Sequence, residues 1–244
     1  AGTATSTGIV NQTVTRTVTP VASGTAVSTA TVCTVSFTDV PQNSTFYTYI
    51  KCLACRGVIG GYTDGTFRPN NPVTRGQLAK IVSLSAGYED MHGEQTFEDA
   101  PVGSTFHLFI EQLAARGIIG GYPCGGPGEP CVGPGDRPYF RPNSQVTRGQ
   151  TAKIVALAAR MAAPPTGSRT FEDVPVGSTF YEWIERMGLE GIIGGYPCGG
   201  PGEPCGPENR PYFRPGNNVT RGQAAKIVSN TFFPGCESLR PFRR

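Results

Sequence analysis

Two histidines, eight cysteines and a recurring aspartate are the side chains of this 244-residue chain best equipped for chemistry. His92 falls in a connecting stretch and His107 in a stretch of helical period. Neither has a counterpart elsewhere, so each fits a solvated or packing role better than a general base. Asp39, Asp99 and Asp173 each sit in Phe-x-Asp followed by Val/Ala-Pro. One carboxylate per stretch in that context reads as a turn or helix-entry cap, not as half of an acid/base pair. Gly60-Gly61, Gly120-Gly121 and Gly194-Gly195 lack the Lys-Ser/Thr that a phosphate-cradling loop needs. The reading is of a protein without catalytic residues, cofactor or metal.

The cysteines speak for covalent bracing. Cys124 and Cys131 bracket a Pro/Gly loop, and Cys198 and Cys205 bracket a nearly identical one, which makes each pair a local staple. Cys52 and Cys55 stand three apart on an expected helix, where Cβ atoms lie about 5–6 Å from one another, beyond the roughly 3.5–4.5 Å of a disulfide. Each should therefore reach a distant partner. Cys33 and Cys236 are available, in a connectivity that spacing leaves open, and a four-thiolate zinc site built from the same four residues is the alternative. An even count used this way points to an oxidising, extracellular setting.

The elements that position these residues come in three copies. Phe37-Thr38-Asp39-Val40-Pro41 recurs as Phe97-Glu98-Asp99-Ala100-Pro101 and Phe171-Glu172-Asp173-Val174-Pro175. Each copy continues through an apolar stretch, a Gly-Gly-Tyr turn, Phe-Arg-Pro and Val-Thr-Arg-Gly-Gln. Phe46, Tyr49, Ile50 and Leu53 keep the i, i+3, i+4, i+7 spacing of one helical face, as do their equivalents, and Gly57, Gly117 and Gly191 stop those helices. Thr74, Thr147 and Thr220, each with Gln three residues on, predict capping boxes for a second helix. A two-helix unit has too little core alone, so the copies should pack around a common centre or stack. Copies two and three carry long loops, from Tyr122 to Phe140 and from Tyr196 to Phe213, where copy one has a short turn. The expected boundaries are 37–95, 96–169 and 170–236, flanked by a segment 1–36 and a basic tail 237–244.

The flanking segment 1–36 is rich in Thr and Val, and from Val10 to Thr19 threonines alternate with Val10, Gln12, Val14, Arg16 and Val18. That period of two predicts an extended β-segment. With helices everywhere else it has no partner in the chain, so Val10, Val14 and Val18 become assembly candidates, the strand adding to a neighbouring copy; a Thr-rich linker is the competing reading.

The Phe-x-Asp-Val-Pro opening, the Gly-Val/Ile-Ile-Gly-Gly-Tyr turn, Asp64-Gly65-Thr66-Phe67-Arg68-Pro69 and the Val-Thr-Arg-Gly-Gln helix start together resemble the S-layer homology family. The resemblance implies a mainly α fold of three tandem helix-loop-helix repeats in a pseudo-threefold arrangement, on a cell-surface protein that in many members is held to a cell-wall polysaccharide. It also implies that the arginine after the capping threonine binds the acidic glycan, which here is Arg75, Arg148 and Arg221. A guanidinium offers a carboxylate a bidentate partner at a helix start that itself favours anions, and Lys80, Lys153 and Lys226 five residues on add charge. Equally, each arginine could bridge to a Phe-x-Asp carboxylate and lock repeat to repeat. Two departures stand out: the family's usual Thr-Arg-Ala-Glu is Thr-Arg-Gly-Gln here, and an aromatic early in the first helix is replaced by Thr45, Thr105 and Thr179, beside Phe46, Phe106 and Phe180.

Composition fits that setting. The chain is 38% hydrophobic and 16% charged with 33 Gly and 22 Pro, a loop-rich balance, and its net charge of +3 implies neither nucleic acid nor membrane as partner. No stretch nears the ~18 apolar residues of a membrane span, and the Thr-rich start reads as a mature, processed form. The overall expectation is a secreted structural protein, a subunit of a cell-surface lattice or filament whose partners are copies of itself, with wall-polysaccharide anchoring as the alternative.

Overall fold

The computed structural model describes residues 33–90, 93–133 and 135–236. The assembly candidates Val10, Val14 and Val18, with His92 and the basic tail, lie outside them. Six helices follow in order: α1 (Tyr47–Cys55), α2 (Arg75–Ser85), α3 (His107–Ala114), α4 (Arg148–Ala158), α5 (Tyr181–Leu189) and α6 (Arg221–Phe232). The fold of the described residues is mainly α, and the backbone bridges among them are isolated pairs that form no strand. No helix among them is long and apolar enough to cross a membrane.

Local chemistry starts each second helix. At α2, the Gln77 amide donates to the Thr74 hydroxyl at 3.3 Å while the Thr74 amide donates to Gln77 Oε1 at 3.1 Å. The same reciprocal box caps α4 through Thr147 and Gln150, and α6 through Thr220 and Gln223. Two orphan amides are thereby satisfied at each start. The shorter first helices have no side-chain cap and hold through burial, with Ile50, Leu53, Ile110, Leu113, Ile184 and Met187 almost wholly enclosed.

Packing runs from unit to unit. Helix α3 lies on α2 and α5 on α4, each first helix there resting on the second helix that precedes it in the chain, while α1 lies on α6, the last helix. The second helices α2, α4 and α6 also touch one another. Just ahead of them, three fully buried valines exchange backbone bonds in a closed circuit. The Val146 amide donates to Val73 O, the Val219 amide to Val146 O and the Val73 amide to Val219 O, each at 3.0 Å. Each unit adds its own aromatic pair, Phe37 with Phe67, Phe97 with Phe140 and Phe171 with Phe213, at centroid distances of 5.3, 5.3 and 5.2 Å. Offset or tilted rings at that range are favourable beyond their buried area.

Four disulfides brace the body: Cys124–Cys131, Cys198–Cys205, Cys33–Cys55 and Cys52–Cys236. Cys52 and Cys55 therefore reach different partners, one at each end of the repeat array.

Candidate inter-unit groove

Arg75, Arg148 and Arg221 occupy equivalent seams between units. Arg75 Nε donates to Phe140 O at 2.7 Å and its Nη2 to Gly120 O at 3.1 Å. Arg148 does the same to Phe213 O and Gly194 O, at 2.8 and 3.1 Å. Arg221 returns to the first unit, with Phe67 O at 2.8 Å and Gly60 O at 3.0 Å. The partners are main-chain carbonyls of the following unit, not the Phe-x-Asp carboxylates. The remaining nitrogen, Nη1, has no hydrogen bond to a described residue in any of the three. Burial pushes each guanidinium pKa down, against which the adjoining tyrosine acts. Arginine nonetheless stays charged.

The helix starts are similarly engaged. The Arg75 and Gly76 amides donate to Ser144 O and Pro142 O of the next unit at 2.8 and 2.9 Å, and the same pairing recurs at α4 and α6. The first-turn amides that a free helix start would offer an anion are thus already bonded across the seam.

Each seam has an aromatic wall. Tyr122 has two guanidinium groups within cation–π range, Arg141 at 3.9 Å and Arg75 at 5.2 Å from the ring centroid. Tyr196 is approached in the same way by Arg214 and Arg148, and Tyr62 by Arg68 and Arg221. Nothing in the chemistry of these rings or of the Phe-Arg-Pro arginines singles them out in the sequence, although both recur as regularly as Arg75 does. Arg141 is held by Glu129 through two bonds of 2.7 Å, Arg214 likewise by Glu203, and Arg68 by Asp64 at 2.8 Å. In the stapled loops those arginines keep Glu129 and Glu203 below the usual carboxylate range; Asp64 is lowered first by the Thr66 hydroxyl and then by Arg68.

The three Phe-x-Asp aspartates act as amide clamps. Asp99 accepts from the Phe140 and Arg141 amides, both at 2.7 Å; Asp39 takes Phe67 and Arg68, and Asp173 takes Phe213 and Arg214. Each clamp holds an arginine with positive φ, between 60° and 61°, a conformation that a residue with Cβ rarely adopts unaided. An open depression of about 300 Å³ lined by Asp99, Arg141, Pro142, Asn143 and Ser144 lies beside the start of α2.

The other sequence candidates lie elsewhere. Lys80, Lys153 and Lys226 stand half-buried over Phe109, Trp183 and Tyr49, at 5.6, 4.9 and 5.6 Å from the ring centroids. Phe106, Phe180 and Phe46 are seated on Gly76, Gly149 and Gly222. A Cβ there would fall 2.4 to 2.5 Å from the ring, so the glycine of Thr-Arg-Gly-Gln and the displaced aromatic are two halves of one contact. Those rings, each partly buried, have one side against the glycine of another unit. His107 is buried with Nδ1 2.9 Å from Ala100 O.

Comparison with known proteins agrees with the repeat pattern. The family model of the S-layer homology domain matches residues 36–79 and 104–152. The chain is 24% identical over 74% of its length to Cell surface glycoprotein 1 and 26% identical over 65% to a cellulosome-anchoring protein, both from Acetivibrio thermocellus. It is also 24% identical over 75% of its length to the Surface-layer 125 kDa protein of Lysinibacillus sphaericus. The shared region spans only 7%, 33% and 14% of those proteins, and 18% of a matching Bacillus endoglucanase.

Proposed function

Because residues 36–79 and 104–152 are S-layer homology repeats, we propose that this chain is a non-catalytic module that holds a secreted protein to the cell surface by binding an acidic cell-wall polysaccharide in the grooves between units. The observation that carries the reading is the Nη1 donor of Arg75, Arg148 and Arg221, which has no hydrogen bond to a described residue and stands beside a tyrosine ring at a seam between units. A charged donor next to an aromatic ring suits a sugar bearing a carboxylate. The chain is a secreted cell-surface protein, in keeping with its family and its relatives. The repeated seam contacts, with the third unit returning to the first, support a pseudo-threefold body of the units 37–95, 96–169 and 170–236, for which the arginines serve first as locks. Calorimetric titration with acidic wall polysaccharide and with the same polymer after its carboxylates are reduced tests the proposal. Heat of binding only to the acidic polymer is expected, and equal or absent heat with both would defeat it.

A second reading, a subunit of a surface lattice or filament, is favoured by the likeness to the surface-layer protein and by Cys33–Cys55, which fixes the root of segment 1–36 to α1. In that reading Val10, Val14 and Val18 pair with a neighbouring copy. Removing residues 1–32 should then leave a folded chain that no longer assembles.

A further inference from the structure

The chain itself crosses two of the three seams. Residues 86–106 join the first unit to the second and residues 159–180 the second to the third, whereas the seam of α6 on α1 brings together opposite ends of the array. Among the described residues its one covalent tie is Cys52–Cys236, spanning a sequence separation of 184. The non-covalent bonds there are the same in kind as at the other seams: Arg221 to Phe67 O and Gly60 O, the Gly222 amide to Pro69 O, and Phe46 seated on Gly222. A second copy of the chain therefore presents to unit three every partner that its own unit one presents.

The linkers differ in a way that singles out a hinge. After α2 the chain turns through Gly87 at φ 70°, where glycine is at ease; at the equivalent place after α4 stands Arg160, at φ 55°. Residues 161–169, which include Pro164-Pro165, are mostly exposed. They are tied to α5 where Arg186 donates to Ala162 O at 2.7 Å and to Ala163 O. Fully extended, residues 160–169 reach about 33 Å.

We infer that the α6–α1 seam is an exchangeable interface between copies of this chain. Unit three swings on residues 160–169 to dock on units one and two of a second copy, and the Cys52–Cys236 bond makes permanent whichever pairing stands when it oxidises. Exchange of an identical element is a low-cost route to oligomers, and closure within one chain prevails where chains are dilute against its effective concentration. The bond-forming step is ordinary thiol–disulfide exchange. The Cys52 and Cys236 thiols give up two electrons and two protons to a small-molecule disulfide such as oxidised glutathione, which leaves as two thiols. This inference stands apart from wall binding.

Equal amounts of unlabelled and heavy-nitrogen-labelled chain are reduced, unfolded and refolded together under a glutathione couple at rising protein concentration. The disulfide-linked peptides are then read by mass spectrometry. Exchange predicts Cys52–Cys236 peptides with one light and one heavy half, their share rising with concentration towards half in the oligomeric fraction, while Cys124–Cys131 and Cys198–Cys205 stay unmixed. Arg160→Gly, which relieves the hinge, should lower the mixed share. Unmixed Cys52–Cys236 at every concentration overturns the inference, as does mixing equal to that of the loop pairs. Should refolding fail, two differently tagged copies co-secreted from one host give the same readout, and absence of the cross-tag Cys52–Cys236 peptide there also overturns it.

Discussion

Replacing Gly149 with alanine probes the seam where its geometry is tightest. The new Cβ would stand 2.4 Å from Phe180 Cδ2 and 3.0 Å from two further ring atoms, against the roughly 3.5–4.0 Å of a comfortable carbon contact. The ring must retreat by about 1 Å, and it is pinned on a seam already bonded through Arg148 and the Gly149 amide. Overpacking of this kind costs about 1–3 kcal/mol. Against it, alanine gains up to about 1 kcal/mol of helix propensity over glycine, less in a first turn. The single change should therefore destabilise by about 1 kcal/mol, lowering the thermal midpoint by roughly 2–4 °C in a domain of this size. In a Phe180→Ala background, where the obstructing ring is gone, the same change should become neutral or stabilising, giving a coupling of about 2 kcal/mol in a double-mutant cycle. Chemical unfolding of the four variants with disulfides intact is the assay. If Gly149→Ala stabilises the chain equally in both backgrounds, the ring is not seated on that glycine and the account of the seam is wrong.

Three further outcomes follow from the same geometry. Asp173→Ala leaves the Phe213 and Arg214 amides without their acceptor and should cost about 2–4 kcal/mol in unfolding experiments, with Asp173→Asn losing less. Removing Cys52–Cys236, which spans 184 positions, should cost about 5 kcal/mol by chain entropy, against about 2.5 kcal/mol for Cys124–Cys131, which spans 7; thermal unfolding of the paired serine variants compares them. Acid should loosen the stapled loops. Glu129 and Glu203 have depressed pKa values in the folded chain, so their contribution is present above the ordinary glutamate pKa and is lost as pH falls through the folded value. Thermal midpoints followed from neutral to acid pH should show this, and Glu129→Gln with Glu203→Gln should flatten the profile.

Much of the architecture could be read from local pattern. The capping boxes at Thr74, Thr147 and Thr220 are short-range chemistry, and all three form. The staples Cys124–Cys131 and Cys198–Cys205 close loops of near-identical sequence. What stayed hidden depends on contacts distant in sequence. Arg75 could be assigned to a carboxylate or to a neighbouring unit by its chemistry alone, and nothing local says that its acceptors are the carbonyls of Phe140 and Gly120. Asp99 looks like a turn residue because its two amides arrive from Phe140 and Arg141, across the whole unit. The glycine of Thr-Arg-Gly-Gln seems a departure without cause until Phe106 is found against Gly76.

Attachment to an acidic wall polysaccharide can be read by co-sedimentation of the chain with isolated cell walls, before and after that polysaccharide is extracted. The chain should pellet with complete walls, be released by added acidic polysaccharide, and stay in solution with extracted walls. Equal pelleting with both wall preparations, or none with either, would contradict it.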